Sequence, residues 1–176
     1  MRTLRLILLT ACCWTAVAAD APRPSPPFTI ERTTGPALNL RQYRGKVVAL
    51  AFIQTTCPHC QALTTELNLI AHDYAARGVQ FLECAFNPDA TATMPGFLEH
   101  FKPSFPVGFS NQVAVMSYLQ HSVLDPHPLY VPHMVFLDRA GVIRADYPGE
   151  SDFFRNAGPN IRAELDKLLK APAAHQ

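Results

Sequence analysis

Two cysteines with two residues between them lie at the junction of two very different stretches of sequence. Cys57 and Cys60 follow a seven-residue apolar run at positions 47–53 and precede residues 61–77, where apolar side chains recur at helical spacing. The run predicts a buried strand, and the periodicity predicts an amphipathic helix. Cys57 would then lie at a helix N-terminus, whose unpaired N–H groups and partial positive charge favour a thiolate. Because thiolates attack disulfides, the pair is predicted to be redox-active.

The two residues between the cysteines are predicted to tune this pair. Pro58 fixes φ at the first helical position, where proline is tolerated. His59 can carry a positive charge or donate a hydrogen bond close to the Cys57 sulfur. Both effects would stabilise the thiolate, and a more stable reduced form makes the disulfide more oxidising, by about 1.4 kcal/mol per 30 mV. An exposed histidine without any effect is the alternative for His59.

A Cys-x-x-Cys pair also occurs in structural zinc sites and in structural disulfides. Structural zinc needs a second pair of ligands, whereas Cys84 is isolated and no histidine pair follows at finger spacing. A 57–60 disulfide would close too small a loop to stabilise a fold. The favoured interpretation is redox chemistry through a Cys57–Cys60 disulfide, with no other cofactor. Cys84 is interpreted as a small buried residue on a strand, with a resolving role as the alternative.

Length, charge and the first residues limit the classes of protein that fit. The chain has 176 residues, enough for one domain, and its formal net charge of +1 gives no electrostatic basis for binding nucleic acid. No apolar run reaches the ~18 residues expected of a mature membrane span. Residues 1–19 combine Arg2 and Arg5 with an apolar stretch and small residues at 16–18. This pattern predicts an export signal that is removed by cleavage.

Lipidation is the alternative to ordinary cleavage of this signal. Residues 9–12 read Leu-Thr-Ala-Cys and resemble a bacterial lipobox, which would place a lipid on Cys12 and hold the protein at a membrane. Ordinary cleavage would leave three of the five cysteines in a compartment where disulfides persist. The predicted location is therefore the periplasm or another exported position, with a membrane-anchored lipoprotein as the alternative.

The rest of the chain divides into a linker, one domain and a tail. Residues 20–27 contain four prolines and are predicted to form an extended, poorly packed spacer. Residues 28–171 form the domain, and residues 172–176 are a frayed tail. Two short strands around a turn at 33–36 predict an N-terminal β-hairpin, followed by the order β, α, β, α, (β), α, β, β, α. Within this order a turn is expected at 87–89, the next-to-last strand from residue 129 and the closing helix from residue 160. This order predicts an α/β fold with a central mixed β-sheet flanked by helices.

The strand, the Cys57-Pro58-His59-Cys60 motif and the helix resemble the thioredoxin superfamily. The Pro-His pair is similar to that of the DsbA type of disulfide oxidase, which has a very low cysteine pKa and a strongly oxidising disulfide. The wider layout resembles the TlpA/ResA-like, redoxin-type branch, with similar segments at 42–48 and 131–138. The resemblance spans 28–170. It implies a thioredoxin-like fold and the activity of a thiol–disulfide oxidoreductase.

The resemblance also assigns a segment that would hold a client peptide. It implies a cis Val131–Pro132 bond beside the cysteines, so that the backbone next to Pro132 can pair with an incoming peptide. Thr56, before the first cysteine, belongs to the same substrate-binding set. A trans edge proline is the alternative. The implied partners are envelope proteins with thiols or disulfides and a membrane electron partner.

The sequence departs from the family pattern in the residues around the cysteines. Thioredoxin-like reductants usually have Trp before the first cysteine and tend to carry a buried acid six residues before it, where this chain has Thr56 and Ala51. The ResA-type acid after the second cysteine is replaced by Leu63. Without a base to deprotonate Cys60, a reductase cycle is less well equipped. Glu83 is the candidate substitute, but it is interpreted as a strand-end or surface carboxylate.

The favoured function is an exported thiol–disulfide oxidoreductase that exchanges disulfides with envelope proteins. A mixed disulfide would form at Cys57, and Cys60 would resolve it. The direction of electron flow is open at this stage. The Pro-His pair favours oxidation of clients, whereas the TlpA-like frame favours reduction, for example in cytochrome c maturation.

Two other functions fit the same frame less well. A copper-handling protein would hold Cu(I) with both cysteines and a histidine such as His133 or His127. Sco-type copper chaperones share the frame, but they space their cysteines by three residues. A peroxiredoxin-type peroxidase would need Pro-x-x-x-Thr-x-x-Cys, and the Pro and Thr positions hold Leu50 and Gln54. A partly exposed polar residue is the plainer interpretation of His133.

Overall fold

The computed structural model describes residues 21–122 and 124–171. The predicted export signal at 1–19, the lipobox residue Cys12 and the predicted tail at 172–176 lie outside these residues. Among the residues that are described, no helix is both long and apolar enough to cross a membrane.

Strands and helices alternate along the described chain in nearly the predicted order. The elements are β1 (Arg23–Pro24), β2 (Thr29–Ile30), β3 (Leu38–Asn39), β4 (Val47–Ile53), α1 (Pro58–Tyr74), β5 (Val79–Ala85), α2 (Ala90–Phe101), β6 (Val107–Phe109), α3 (Gln112–Tyr118), β7 (His133–Leu137), β8 (Val142–Tyr147) and α4 (Ala157–Lys170). Short 3-10 turns precede β4, follow α1 and precede α4. The buried apolar run and the amphipathic helix on either side of the cysteines are both confirmed.

A six-stranded mixed sheet forms the centre of the domain, in the order β1-β8-β7-β4-β5-β6. β4 and β5 are parallel, as are β5 and β6, whereas β7 is antiparallel to both β4 and β8. The parallel pairs follow from the helical crossovers of α1 and α2, and the antiparallel pair β7–β8 follows from a short turn. The predicted α/β fold with a central mixed sheet is confirmed.

Alternation along β4 sends its side chains into two separate cores. Ala49, Ala51 and Ile53 face a core shared with α1, α2 and α4. Leu50 and Phe52 face a second core shared with α3 and the N-terminal hairpin. Because a strand alternates its faces with a period of two, each position on the sheet belongs to one core only. The face with α1 is called the dithiol face below, and the other is called the hairpin face.

The predicted N-terminal hairpin is present as the antiparallel pair β2–β3. It docks against the edge of the sheet through a bridge between Glu31 and Phe109, which exchange two backbone hydrogen bonds of 2.8 Å. Gly108 allows this close approach, because a Cβ there would overlap the carbonyl oxygen of Glu31 and lie 2.7 Å from Cγ2 of Ile30. The hairpin therefore covers one end of the hairpin face.

The segment predicted to be a poorly packed spacer, 20–27, contributes a strand to the sheet at Arg23 and Pro24. Arg23 and Pro24 pair with Val142 and Ile143 of β8. The Arg23 side chain is buried, and its guanidinium forms an ion pair of 2.6 Å with Asp146. The prediction of poor packing was wrong. A proline-rich composition indicates a locally stiff chain, but it gives no information on the distant edge of β8 or on the carboxylate of Asp146, to which this segment binds.

Two element boundaries also differ from the prediction. The strand expected from residue 129 begins at His133, after Pro132, because proline has no N–H to donate to the ladder. The closing helix expected from residue 160 begins at Ala157, because the first turn of a helix tolerates Pro159.

Gly108→Ala is expected to lower the free energy of unfolding by about 1–3 kcal/mol, because the added methyl group would push the hairpin away from β6. Urea denaturation followed by circular dichroism measures this change. Gly96→Ala is the matched control: it lies inside α2 with nothing within 4 Å of its Cβ position, and should be neutral or stabilising by up to about 1 kcal/mol. Equal effects of the two substitutions would contradict the close approach at Gly108.

Candidate active site

The two cysteines lie where β4 ends and α1 begins. Cys57 is the N-cap residue of α1, and Pro58 occupies the first helical turn. Cys57 is half-buried, whereas Cys60 is completely buried and packs in the core of the dithiol face. Both are free thiols. The accessible cysteine is thus the one at the helix N-terminus, the position that the sequence predicted for a nucleophile, and its thiolate character stays a prediction.

Cys60 is held as a neutral thiol by its surroundings. Burial raises the pKa of its thiol well above the usual range. The N–H of Gln54 donates a hydrogen bond of 3.5 Å to its sulfur and partly opposes this effect, while Cys57 and Glu83 raise the pKa further. A thiol with such a pKa is no nucleophile at neutral pH unless a neighbouring group takes its proton.

Glu83 is the candidate for the group that takes the proton of Cys60. Its side chain is fully buried on β5, and burial raises the pKa of its carboxyl to about 8, although the hydrogen bond from Thr64 lowers it. Thr64 Oγ1 donates to Glu83 Oε1 over 2.9 Å, and Oε2 has no hydrogen-bond partner among the described residues. The prediction of a strand-end or surface carboxylate was wrong. A carboxyl group that titrates near pH 8 beside a buried thiol can exchange a proton with it.

The register of the sheet explains how this acid reaches the dithiol. Glu83 pairs with Ala51 across the parallel strands β4 and β5, so both side chains point to the dithiol face. Ala51 is the position at which thioredoxin-like reductants tend to carry a buried acid, and here the acid comes from the neighbouring strand. The sequence carried one signal of a buried acid at this position: Glu83 is the single charged residue in the largely apolar run 79–86. Because a central parallel strand is buried on both faces, a charged residue within it is expected to be buried too.

A hydrogen-bond clamp that the sequence analysis missed holds the loop before Cys57. The N–H of Thr55 donates to Asn87 Oδ1 over 3.0 Å, and Asn87 Nδ2 donates to Thr55 Oγ1 over 2.9 Å. Thr93 Oγ1 lies 2.7 Å from Thr55 Oγ1, and Gln61 Nε2 donates to the Thr55 carbonyl over 2.9 Å. All polar groups of Thr55 are therefore bonded, to groups from the loop after β5, from α2 and from α1, which fixes the start of the dithiol loop.

The predicted client-binding segment lies beside the dithiol loop. The Val131–Pro132 bond is cis, and both residues line a cleft of about 640 Å³ together with His59. Gly149 supports this segment from behind, because a Cβ there would lie 2.7 Å from the carbonyl carbon of Tyr130. His59 is exposed at the mouth of the cleft, and Thr56 and Pro58 are exposed on the same loop. The structure thus places Val131 and Pro132 in one cleft with His59, whereas Thr56, the third residue of the predicted client-binding set, is not among the residues that line it.

Two residues considered for the site lie elsewhere. His133 is buried on the hairpin face, opposite Phe52, and its Nε2 lies 2.5 Å from Asp146 Oδ1. Cys84 is buried on the same face, in the core around α3, and burial raises the pKa of its thiol. Within 21–122 and 124–171, no cluster of three His, Cys, Asp or Glu side chains could hold a metal ion. The copper ligand set of both cysteines with His133 is therefore not assembled, because the sheet separates its members.

Glu83→Gln is expected to change how the stability of the reduced protein depends on pH. The Glu83 pKa is raised from an ordinary value of 4.5 to about 8, so between these values the folded state binds more protons than the unfolded state. Stability should therefore be complete below pH 4.5 and fall as the pH rises toward 8, by up to about 5 kcal/mol. The variant should lack this loss and be the more stable protein above pH 8.

Chemical denaturation at a series of pH values measures this difference. Glu99→Gln, which changes an exposed acid on α2, should keep the wild-type pH dependence. Parallel curves for the wild type and Glu83→Gln would contradict the burial of a titrating carboxyl at this position.

Solved structures share this fold. The thioredoxin domain of a thiol-disulfide oxidoreductase from Bacteroides vulgatus superposes with a TM-score of 0.68 at 18% identity, covering 86% of this chain and 99% of that one. A thiol:disulfide interchange protein of the thioredoxin family from Chlorobium tepidum gives a TM-score of 0.67 at 19% identity, with coverage of 86% and 99%. The thioredoxin-like fold implied by the motifs is confirmed.

Sequence comparison gives the family. The thiol-disulfide oxidoreductase ResA from Halalkalibacterium halodurans is 29% identical over 80 residues, which are 46% of this chain and 45% of that protein. The chain thus matches a little under half the length of this curated relative. The family model described as Redoxin matches residues 20–159, most of the chain. The chain therefore belongs to the Redoxin family, and its resemblance to the TlpA/ResA-like branch is confirmed.

Proposed function

We propose that this protein is an exported thiol–disulfide oxidoreductase that exchanges disulfides with envelope proteins through Cys57 and Cys60. The observation that carries the proposal is the placement of two free thiols at the start of α1, with Cys60 buried on the same face of the sheet as the buried carboxyl of Glu83. An accessible Cys57 at a helix N-terminus and a neighbouring cleft lined by His59, Val131 and Pro132 support it. The similarity to ResA, named a thiol-disulfide oxidoreductase, agrees with it.

The exchange has two steps, and each conserves atoms and electrons. The thiolate of Cys57 attacks a client disulfide, so that a mixed disulfide forms and one client sulfur leaves as a thiolate. Glu83 then takes the proton of Cys60, whose sulfur attacks Cys57. The Cys57–Cys60 disulfide forms, and the second client sulfur leaves with the electron pair of the broken bond. Two electrons have passed from the dithiol to the client.

The environment of Cys60 favours reduction of clients as the working direction. In the opposite direction Cys60 would be the leaving group when a client thiol attacks Cys57, and thiols of high pKa are poor leaving groups. Burial raises the pKa of Cys60, which makes the oxidised form a weak oxidant. Glu83 also supplies the base whose absence counted against a reductase cycle. The Pro58-His59 pair favours the reverse direction, so oxidation of clients is the second candidate.

Location and partners complete the proposal. The N-terminal pattern of arginines, an apolar stretch and small residues supports export to the periplasm, with lipidation at Cys12 as the route to a membrane anchor. A client would lie extended along Val131 and Pro132, next to His59 at the mouth of the cleft. A membrane electron partner would return the dithiol to its reduced form after each exchange.

Cys60→Ala is expected to accumulate mixed disulfides with client proteins, because Cys57 can still attack but nothing resolves the product. Non-reducing gel electrophoresis of envelope fractions, followed by mass spectrometry of the trapped bands, measures this. Cys84→Ala should behave like the wild type, since Cys84 lies on the hairpin face, and Cys57→Ala should trap nothing. Equal trapping by the Cys57 and Cys60 variants would contradict the assigned roles.

The reduction potential of the Cys57–Cys60 couple is expected near the thioredoxin value of about −270 mV, because Cys60 is a poor leaving group. Equilibration with glutathione or dithiothreitol buffers, with the oxidised fraction determined by thiol alkylation, gives the value. A potential near the DsbA figure of about −120 mV would assign the protein to the oxidase direction instead. Either value is compatible with exchange at Cys57, which the trapping experiment tests separately.

A further inference from the structure

Thr64 contacts both residues that exchange a proton in the proposed cycle. It is fully buried one turn after Cys60 on α1. Its Oγ1 lies 2.9 Å from Glu83 Oε1 and 3.1 Å from the carbonyl oxygen of Cys60. A threonine inside a helix commonly bonds the carbonyl four residues earlier, but here the same hydroxyl also reaches a carboxyl on another strand.

One hydroxyl proton cannot serve both acceptors at once. When Glu83 is ionised, the proton of Thr64 belongs to the carboxylate, because hydrogen bonds to charged acceptors are the stronger ones. When Glu83 is protonated at Oε2, Oε1 is a neutral and weaker acceptor, and the hydroxyl can turn to the Cys60 carbonyl. The hydroxyl can therefore match either protonation state of Glu83 by rotating.

The second carboxyl oxygen of Glu83, Oε2, has no donor comparable to the Thr64 hydroxyl among the described residues. Oε2 is buried and has no hydrogen-bond partner in 21–122 or 124–171. A buried carboxylate oxygen without a donor is costly, so it is the atom that gains most from a proton. The register neighbours of Glu83, Ala51 and Val107, carry no titratable group, and on the side of α1 the charge of Glu83 acts on the thiol of Cys60.

We propose that Thr64 is the positioning residue of the resolving step. Its hydroxyl holds Glu83 through Oε1, stabilises the ionised carboxylate and leaves Oε2 as the atom that takes the Cys60 proton. In that step the S–H bond of Cys60 breaks, an O–H bond forms at Oε2, and the new thiolate attacks Cys57. Thr64 donates no proton of its own to the reaction. This inference rests on the proposed function and adds a residue to it.

Thr64→Val tests the inference, because valine has nearly the same shape and no hydroxyl. The probe is the mixed disulfide between Cys57 and 2-nitro-5-thiobenzoate, whose release by Cys60 is followed by stopped-flow absorbance across pH. In the wild type the rate should rise with pH and level off above the Glu83 pKa of about 8. Loss of a hydrogen bond to the charged form should move this inflection up by about one pH unit and slow release about tenfold at neutral pH.

Two further variants assign each outcome. Thr64→Ser keeps the hydroxyl and should retain the wild-type inflection, whereas a purely structural role of the methyl group would change Ser, which lacks that methyl group, and leave Val, which keeps it, like the wild type. Glu83→Gln should abolish the inflection. If it does so while Thr64→Val coincides with the wild type, the role of Thr64 is rejected and the proposed function stands.

Other results distinguish a failure of the proposed function from a failure of the role of Thr64. If the wild type does not release the probe through Cys60, or if Glu83→Gln keeps the wild-type profile, the proposed proton transfer fails, and the inference fails with it. If Thr64→Val does not fold, Thr64→Ala takes its place, with the carboxyl of Glu83 titrated by infrared difference spectroscopy against Glu83→Gln. The same upward shift is expected, and a folded Thr64→Ala protein without it overturns the role of Thr64.

Discussion

The site depends on one physical constraint: a thiol and a carboxyl group buried together away from water. Each would lose solvation as an anion, so burial raises the pKa of both Cys60 and Glu83. As a consequence the pKa of Glu83 rises to about 8, the range that the proposed proton transfer from Cys60 requires. A surface carboxylate at the same distance would stay ionised and would be a much weaker base. The chemistry therefore comes from the depth of the pair in the core.

The sheet decides which groups can take part. Successive residues of a strand point to opposite faces, so the dithiol face receives Glu83 from β5, while Cys84, the next residue, is sent to the hairpin face. The same alternation takes His133 away from the sulfurs and into contact with Asp146. Backbone of the sheet thus separates Cys84 and His133 from the reacting pair.

Prediction succeeded where the deciding interactions are local. The period of the apolar residues gave the buried strand 47–53 and the helix after it, and the junction between them placed Cys57 at a helix N-terminus. Prediction failed where distant residues decide. The proline-rich segment pairs with β8 because Asp146, far along the chain, binds Arg23. The clamp on Thr55 likewise depends on Asn87, which local composition identified only as a turn residue.

By itself, the sequence determined the dithiol, its position at a strand-to-helix junction and the family to which the chain belongs, because spacing and periodicity are properties of neighbouring residues. Only the tertiary structure decided that Glu83 is buried on the same face of the sheet as Cys60 and that Thr64 bonds it. The reason is the pairing of β4 with β5: a shift of one residue would turn Glu83 to the other face. That register is set by the packing of both cores, which no short stretch of the chain encodes.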